Sequence, residues 1–173
     1  MRYVALSVAV MIASVSLPCA AWAKEFMALI EATQSDSKIN GIVLLTEKKS
    51  GVLIEASVNH LAPGKHGFHV HENGSCADAG KAAGGHFNPD HTQHGYMPKK
   101  GMAHSHPGDM GNLDAGPDGH AVARVFLKGV TLKEGKYAVL GKAIIVHENA
   151  DDFSQPTGNA GGRVACGLIE EKP

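Results

Sequence analysis

Residues 52–58 alternate in polarity: Val52, Ile54, Ala56 and Val58 are separated by Leu53, Glu55 and Ser57. A period of two predicts a half-buried β-strand. Residues 39–47 precede it, and Lys48-Lys49-Ser50-Gly51 suits a hairpin turn between the two. Residues 26–32, 67–71, 120–127, 137–140, 143–147 and 164–169 are further strand candidates, set between Gly, Pro, Asn and Asp turns. No window carries the period of a long amphipathic helix. Several short strands with turn signals predict an all-β fold, a sandwich or a barrel.

From residue 72 to residue 113 this rhythm stops. The stretch has little apolar periodicity, many glycines and most of the histidines. A loop this long in a compact domain is usually functional or disordered. Metal coordination would order it without hydrophobic contacts. A shorter irregular stretch, residues 149–162, follows His147.

The histidines are spaced as candidate ligands. His69 and His71 sit two apart on a predicted strand and project to one face, with Val70 facing the core. His86, His94, His106 and Asp109 follow, then a distant His147. Imidazoles with one carboxylate suit zinc or copper, not calcium or magnesium. Seven donors exceed one tetrahedral ion and match two ions that share a ligand. His104, two residues before His106, is an alternative zinc donor, and a loosely metal-scavenging loop is the blander reading of the same residues.

The first residues change the picture of where the chain works. Arg2, an apolar run over residues 4–17 and the small-residue motif Ala21-Trp22-Ala23 predict a signal peptide over residues 1–23. Cys19 raises a lipoprotein site, which Pro18 before it fits poorly. Residues 24–173 then form one domain. Arg2 is the only charge in the leader, so the domain keeps 15 of the 16 basic side chains against 17 acidic ones. Such a balance points to neither nucleic acid nor a membrane surface as a partner once the leader is removed. Cys76 and Cys166 remain, and two cysteines in an exported protein most simply form one disulfide.

Gly67-Phe68-His69-Val70-His71-Glu72, Gly85-His86-Phe87-Asn88-Pro89, His106-Pro107-Gly108-Asp109, Val146-His147-Glu148 and Gly158-Asn159-Ala160-Gly161-Gly162-Arg163-Val164-Ala165-Cys166-Gly167 occur in this order. Together they resemble the copper/zinc superoxide dismutases over about residues 26–169. The wording from Glu72 to Cys76 looks more like the bacterial members, a resemblance that implies the periplasm.

The resemblance implies a Greek-key β-sandwich or flattened barrel with long metal-binding loops. It also implies dismutation of superoxide to oxygen and hydrogen peroxide at a histidine-bridged pair of one copper and one zinc ion. Copper would be held by His69, His71, His86 and His147, and zinc by His86, His94, His106 and Asp109. His86 would bridge the ions and carry a proton. Asp151 would hydrogen-bond ligands of both ions, although Asp152 beside it is hard to separate by sequence. Arg163 would hold the superoxide anion, and a Cys76–Cys166 bridge would tie the ligand loop to the strand beside it. The stretch from His147 to Arg163 is short and has no lysine. Lys99 and Lys100 are the candidate replacements for the family's steering charges there. His66 reads as structural, hydrogen-bonded to backbone, and His60, His91 and His120 have no metal role. A homodimer is open, and periplasmic copper/zinc storage or delivery is the alternative function.

Overall fold

The computed structural model describes residues 25–172, so the expected signal peptide and Cys19 lie outside the described residues. Nine strands follow one another: β1 Phe26–Ala32, β2 Asn40–Lys48, β3 Gly51–Asn59, β4 Gly64–Val70, β5 Asp109–Ala115, β6 Ala121–Lys128, β7 Ala143–His147, β8 Arg163–Leu168 and β9 Glu170–Glu171. The sheet order is β5-β4-β7-β8-β1-β2-β3-β6, with short β9 beside β1. All the pairings between these strands are antiparallel. The two ends of this path, β5 and β6, are consecutive in sequence and pack on each other, so the sheet nearly closes into a barrel. The β3–β4 and β6–β7 connections cross between its halves in the Greek-key manner.

The predicted alternation is met in β1, β2 and β3. Phe26, Leu45 and Ile54 face inward in register, as do Ala28, Val43 and Ala56. Burial on one face fixes register, because a slip by one residue would turn every apolar side chain to water. Strand β7 differs: all five of its residues are buried. Ile144 and Val146 enter the main core, while Ala143 and Ile145 join Ala83, Cys166 and partly buried Cys76 in a second, small cluster. An unbroken apolar run is what a strand covered on both faces requires.

Two expectations need correction. Residues 137–140 form no strand; they lie in a turn region with one isolated bridge, Thr131 to Ala138. Their apolar Val139 and Leu140 fill the core from a loop instead. Conversely, residues 109–113 belong to β5 and not to the irregular stretch. Gly111, Asn112 and two aspartates hide this strand, because such residues are depleted in sheets. The remainder of that stretch is irregular apart from a 3-10 turn, Lys81–Ala83, and one helical turn, α1, Met97–Lys100. Among the described residues no helix is long and apolar enough to cross a membrane.

Cys76 and Cys166 are joined, with Cα atoms 5.7 Å apart and 90 residues of separation. The bridge pins the segment after β4 to β8, over the small cluster. Closing such a loop removes about 4–5 kcal/mol of unfolded-state entropy in the chain-entropy model. The double variant Cys76→Ser/Cys166→Ser is therefore expected to unfold at lower urea, by up to that amount. An unchanged midpoint in urea denaturation would contradict this.

Candidate metal centre

Antiparallel pairing collects the candidate residues at one edge of the sheet. The end of β4, the start of β5, the end of β7 and the start of β8 lie side by side, carrying His69, Asp109, His147 and Arg163. His69 is opposite Asp109, and His147 is opposite Arg163. Each of these two pairings includes a register shift, at Gly67/His69 and at Val146/His147. Bulges of this kind re-aim side chains at strand ends. His71 continues past β4 and bridges to His86, which brings the long loop back onto the strand end.

Two buried groups of four donors result: His69, His71, His86 and His147, and His86, His94, His106 and Asp109. Within each, the donor atoms lie within 4.8 Å of one another. His86 belongs to both, as the excess of donors in the sequence requires. His71 Nε2 is 3.4 Å from His147 Nε2, and His106 Nδ1 is 3.4 Å from His86 Nδ1. A tetrahedral ion with bonds of about 2.0 Å sets its ligand atoms about 3.3 Å apart. Asp109 Oδ1 adds a donor 2.8 Å from His86 Nδ1 and 3.1 Å from His106 Nδ1.

Two ring atoms, His69 Nδ1 and His94 Nδ1, are buried without any hydrogen-bond partner. His94 Nδ1 lies 2.8 Å from an Asp109 oxygen, but too poorly aligned to bond it. Burying an unpaired polar atom costs about 1–3 kcal/mol. Convergent unpaired nitrogens beside a carboxylate are what a cation would satisfy, so both groups fit metal ions.

Electrostatics agree. Burial and neighbouring imidazoles push His71 down to about 2, and burial, His69 and His86 push His147 down to about 3. Burial also brings His86 down to about 4, against the pull of Asp109. These rings are neutral at pH 7, the form that offers a lone pair. For His94 burial acts downward, but the nearby Asp109 carboxylate and the hydrogen bonds to Asp151 prevail and raise it to about 9. Burial would raise Asp109, yet hydrogen bonds with His106 and His86 and the nearby His94 ring hold it far below the usual carboxylate range.

Asp151 sits between the groups. Its Oδ2 lies 2.9 Å from His69 Nε2, and its Oδ1 lies 2.9 Å from His94 Nε2. Asp152 is exposed and receives Ser154 N–H and Asn159 instead. A third cluster of His69, His94 and Asp151 is therefore read as this hydrogen-bonded bridge, not as a further ion site. Residues that the sequence did not single out hold the bridge. Asn112 bonds the Asp151 backbone through both its amide groups, at 2.7 and 3.0 Å. Gln155 likewise clamps the His94 backbone, at 2.9 Å twice. No spacing or motif marks either residue. Gly158, at φ 77°, leaves room for the Asp151 carboxylate, with which any Cβ would collide.

Arg163 is held by carbonyls of the loop between His71 and His86. Its Nη1 donates to Gly80 O at 2.5 Å and Lys81 O at 3.3 Å, and its Nη2 to Gly84 O at 2.5 Å. Gly84 O also accepts from His71 Nδ1 at 3.0 Å, which links the guanidinium to the first donor group. His66 lies outside both groups, its ring nitrogens bonding the carbonyls of His147 and Ala62 at 2.8 Å each. His104, the alternative zinc donor, is exposed and belongs to neither group, as do His60, His91 and His120.

A β-barrel that gathers two four-donor groups with one histidine in common has the donor set of a two-metal protein. The copper/zinc superoxide dismutase (SODC) profile matches residues 39–169. Superoxide dismutase [Cu-Zn] 4 of Dictyostelium discoideum is 35% identical over 139 residues, covering 76% of this chain and 90% of that protein. The extracellular superoxide dismutase [Cu-Zn] of Caenorhabditis elegans is 34% identical over 154 residues, covering 85% and 68%. That of Drosophila melanogaster is 38% identical over 153 residues, covering 82% and 81%. The chain belongs to the copper/zinc superoxide dismutase family. Its activity is the dismutation of superoxide, with one copper and one zinc ion per chain.

Asp151→Ala is expected to weaken zinc binding about 10- to 100-fold, because it frees the His69 and His94 rings at once. Asp152→Ala should leave it unchanged. Competition with a chromophoric chelator measures both, and equal affinities in the two variants would contradict the bridging role.

Proposed function

We propose that His69, His71, His86 and His147 hold copper, that His86, His94, His106 and Asp109 hold zinc, and that His86 is shared. The observation that carries this reading is the pair of buried donor groups with His86 in common. Copper supplies the one-electron redox chemistry, and zinc, which has no accessible redox state, supplies charge and geometry.

The side chains do the rest. Arg163 binds the superoxide anion: three carbonyl contacts at Nη1 and Nη2 use at most three of its five N–H donors, leaving at least two to donate. His86 has Nδ1 beside Asp109, so Nε2 faces the first group and is the atom that holds and hands on a proton. Two superoxide anions and two protons yield oxygen and hydrogen peroxide. Asp151 keeps His69 and His94 in one ring orientation.

Residues 1–23 act as a signal peptide and residues 24–173 as the enzyme, exported to the periplasm to remove superoxide outside the cytoplasm. The disulfide suits an oxidising compartment. Two of the relatives above are extracellular enzymes, which supports export. The Glu72–Cys76 wording supports a bacterial periplasm.

The test is superoxide dismutation by residues 24–173 loaded with copper and zinc, with and without cyanide. Fast, cyanide-sensitive turnover is expected. Bound metals without turnover would replace this reading by storage or delivery. Arg163→Ala is expected to keep both metals and lose about 10- to 100-fold in rate, the worth of a charge-assisted hydrogen bond. Unchanged activity would remove Arg163 from the anion site.

A further inference from the structure

The side chains of His94 and Asp151 are fully buried, and each stands two residues before an exposed aromatic ring, Tyr96 and Phe153. Both rings are 37% exposed, and their centroids are 6.1 Å apart. Phe153 stacks on the His94 ring, with 6.2 Å between centroids and 20° between planes, within the usual range for such pairs. Its backbone N–H donates to Asp151 Oδ1 at 2.8 Å, so one residue touches both ends of the His94–Asp151 bond. Tyr96 follows Gly95, whose N–H donates to Asp109 Oδ2 at 2.9 Å. The Tyr96 ring lies on the backbone of Gly111, where a Cβ would come within 2.9 Å of two ring atoms. Outside the pair is a cavity of about 400 Å³ walled by Tyr96, Phe153, Met110, Gly111 and Asn112 among others. No histidine or aspartate lines it, so the two rings stand between this cavity and the buried donors.

Phe153 holds its place at a cost to the backbone. Its φ is 61°, in the left-handed region that a bulky side chain rarely adopts. Glycine suits that conformation better. Strain of this kind persists where a site requires it. We propose that Phe153 and Tyr96 form an aromatic cover that slows the escape of zinc past His94. This rests on the placing of zinc at His94 and Asp109 above. For zinc to leave, the His94 ring has to swing away and water has to reach the Asp109 carboxylate. Phe153 opposes the swing by stacking on the ring, and Tyr96 closes the path between Gly95 and Gly111. The Tyr96 hydroxyl makes no hydrogen bond among the described residues, so the cover uses the face of that ring. An apolar shell of this kind controls the access of solvent to a metal site.

The experiment uses the copper- and zinc-loaded chain. Loss of each metal to excess EDTA is timed at neutral pH by elemental analysis of desalted aliquots. Phe153→Gly and Tyr96→Ala are expected to lose zinc about three- to ten-fold faster, with copper loss unchanged. Phe153→Tyr and Tyr96→Phe keep the ring faces and should retain zinc as the wild type does. Phe126→Ala removes an equally exposed ring from the outer face of β6, at 37%, and should change nothing. Wild-type zinc loss in Phe153→Gly, with His94→Ala losing zinc readily, would overturn the cover and leave the zinc assignment standing. Zinc and copper lost faster in step would also overturn it, since a general loosening moves both metals. Full zinc retention in His94→Ala would overturn the zinc assignment and the cover with it.

Discussion

Six imidazoles and two carboxylates packed together away from water are the constraint that the rest of this structure serves. Buried polar atoms are costly unless each finds a partner. The outward nitrogens are partnered by protein: His69 and His94 by Asp151, His71 by Gly84 O, and His147 by Gly161 O at 3.4 Å. The inward nitrogens face one another, the Asp109 carboxylate or nothing, and there a divalent ion is the natural partner. Cofactor and loop therefore order each other, which is how an irregular run of more than thirty residues (about 72–108) keeps His86, His94 and His106 buried.

Strand β7 shows how stability and function are joined. One face of it fills the main core, and the other fills the small cluster under the disulfide. His147 continues the same strand into the donor group, and the His66 ring grips its carbonyl. The disulfide holds the segment whose carbonyls hold Arg163. Loosening this corner thus disturbs the guanidinium before it disturbs the barrel.

The sequence made the inward face of the barrel legible, because β1, β2 and β3 are half-buried and obey a period of two. Strand β7 was legible by its ends and its apolar run. Strand β5 was not, since Asp109 is buried for its chemistry and Gly111 for close contact with Tyr96. Both break the pattern that marks a strand. The donors could be read as a set by type, order and spacing. What could not be read was the choice between Asp151 and Asp152, which depends on a backbone held by Asn112 from another strand. Nor could the location of Lys81 beside Arg163, which are 82 residues apart and meet only through the fold.

The short stretch after His147 explains how labour is divided between the two loops. Asn149 O accepts Gly67 N–H, Gln155 clamps His94, and Gly158 makes room for Asp151. These positions hold the donor residues in place, while most others in the stretch are exposed. The loop from His71 to His86 has the opposite arrangement. It is anchored by a disulfide and by the carbonyls that hold Arg163, and its Ala77, Asp78 and Lys81 side chains face solvent.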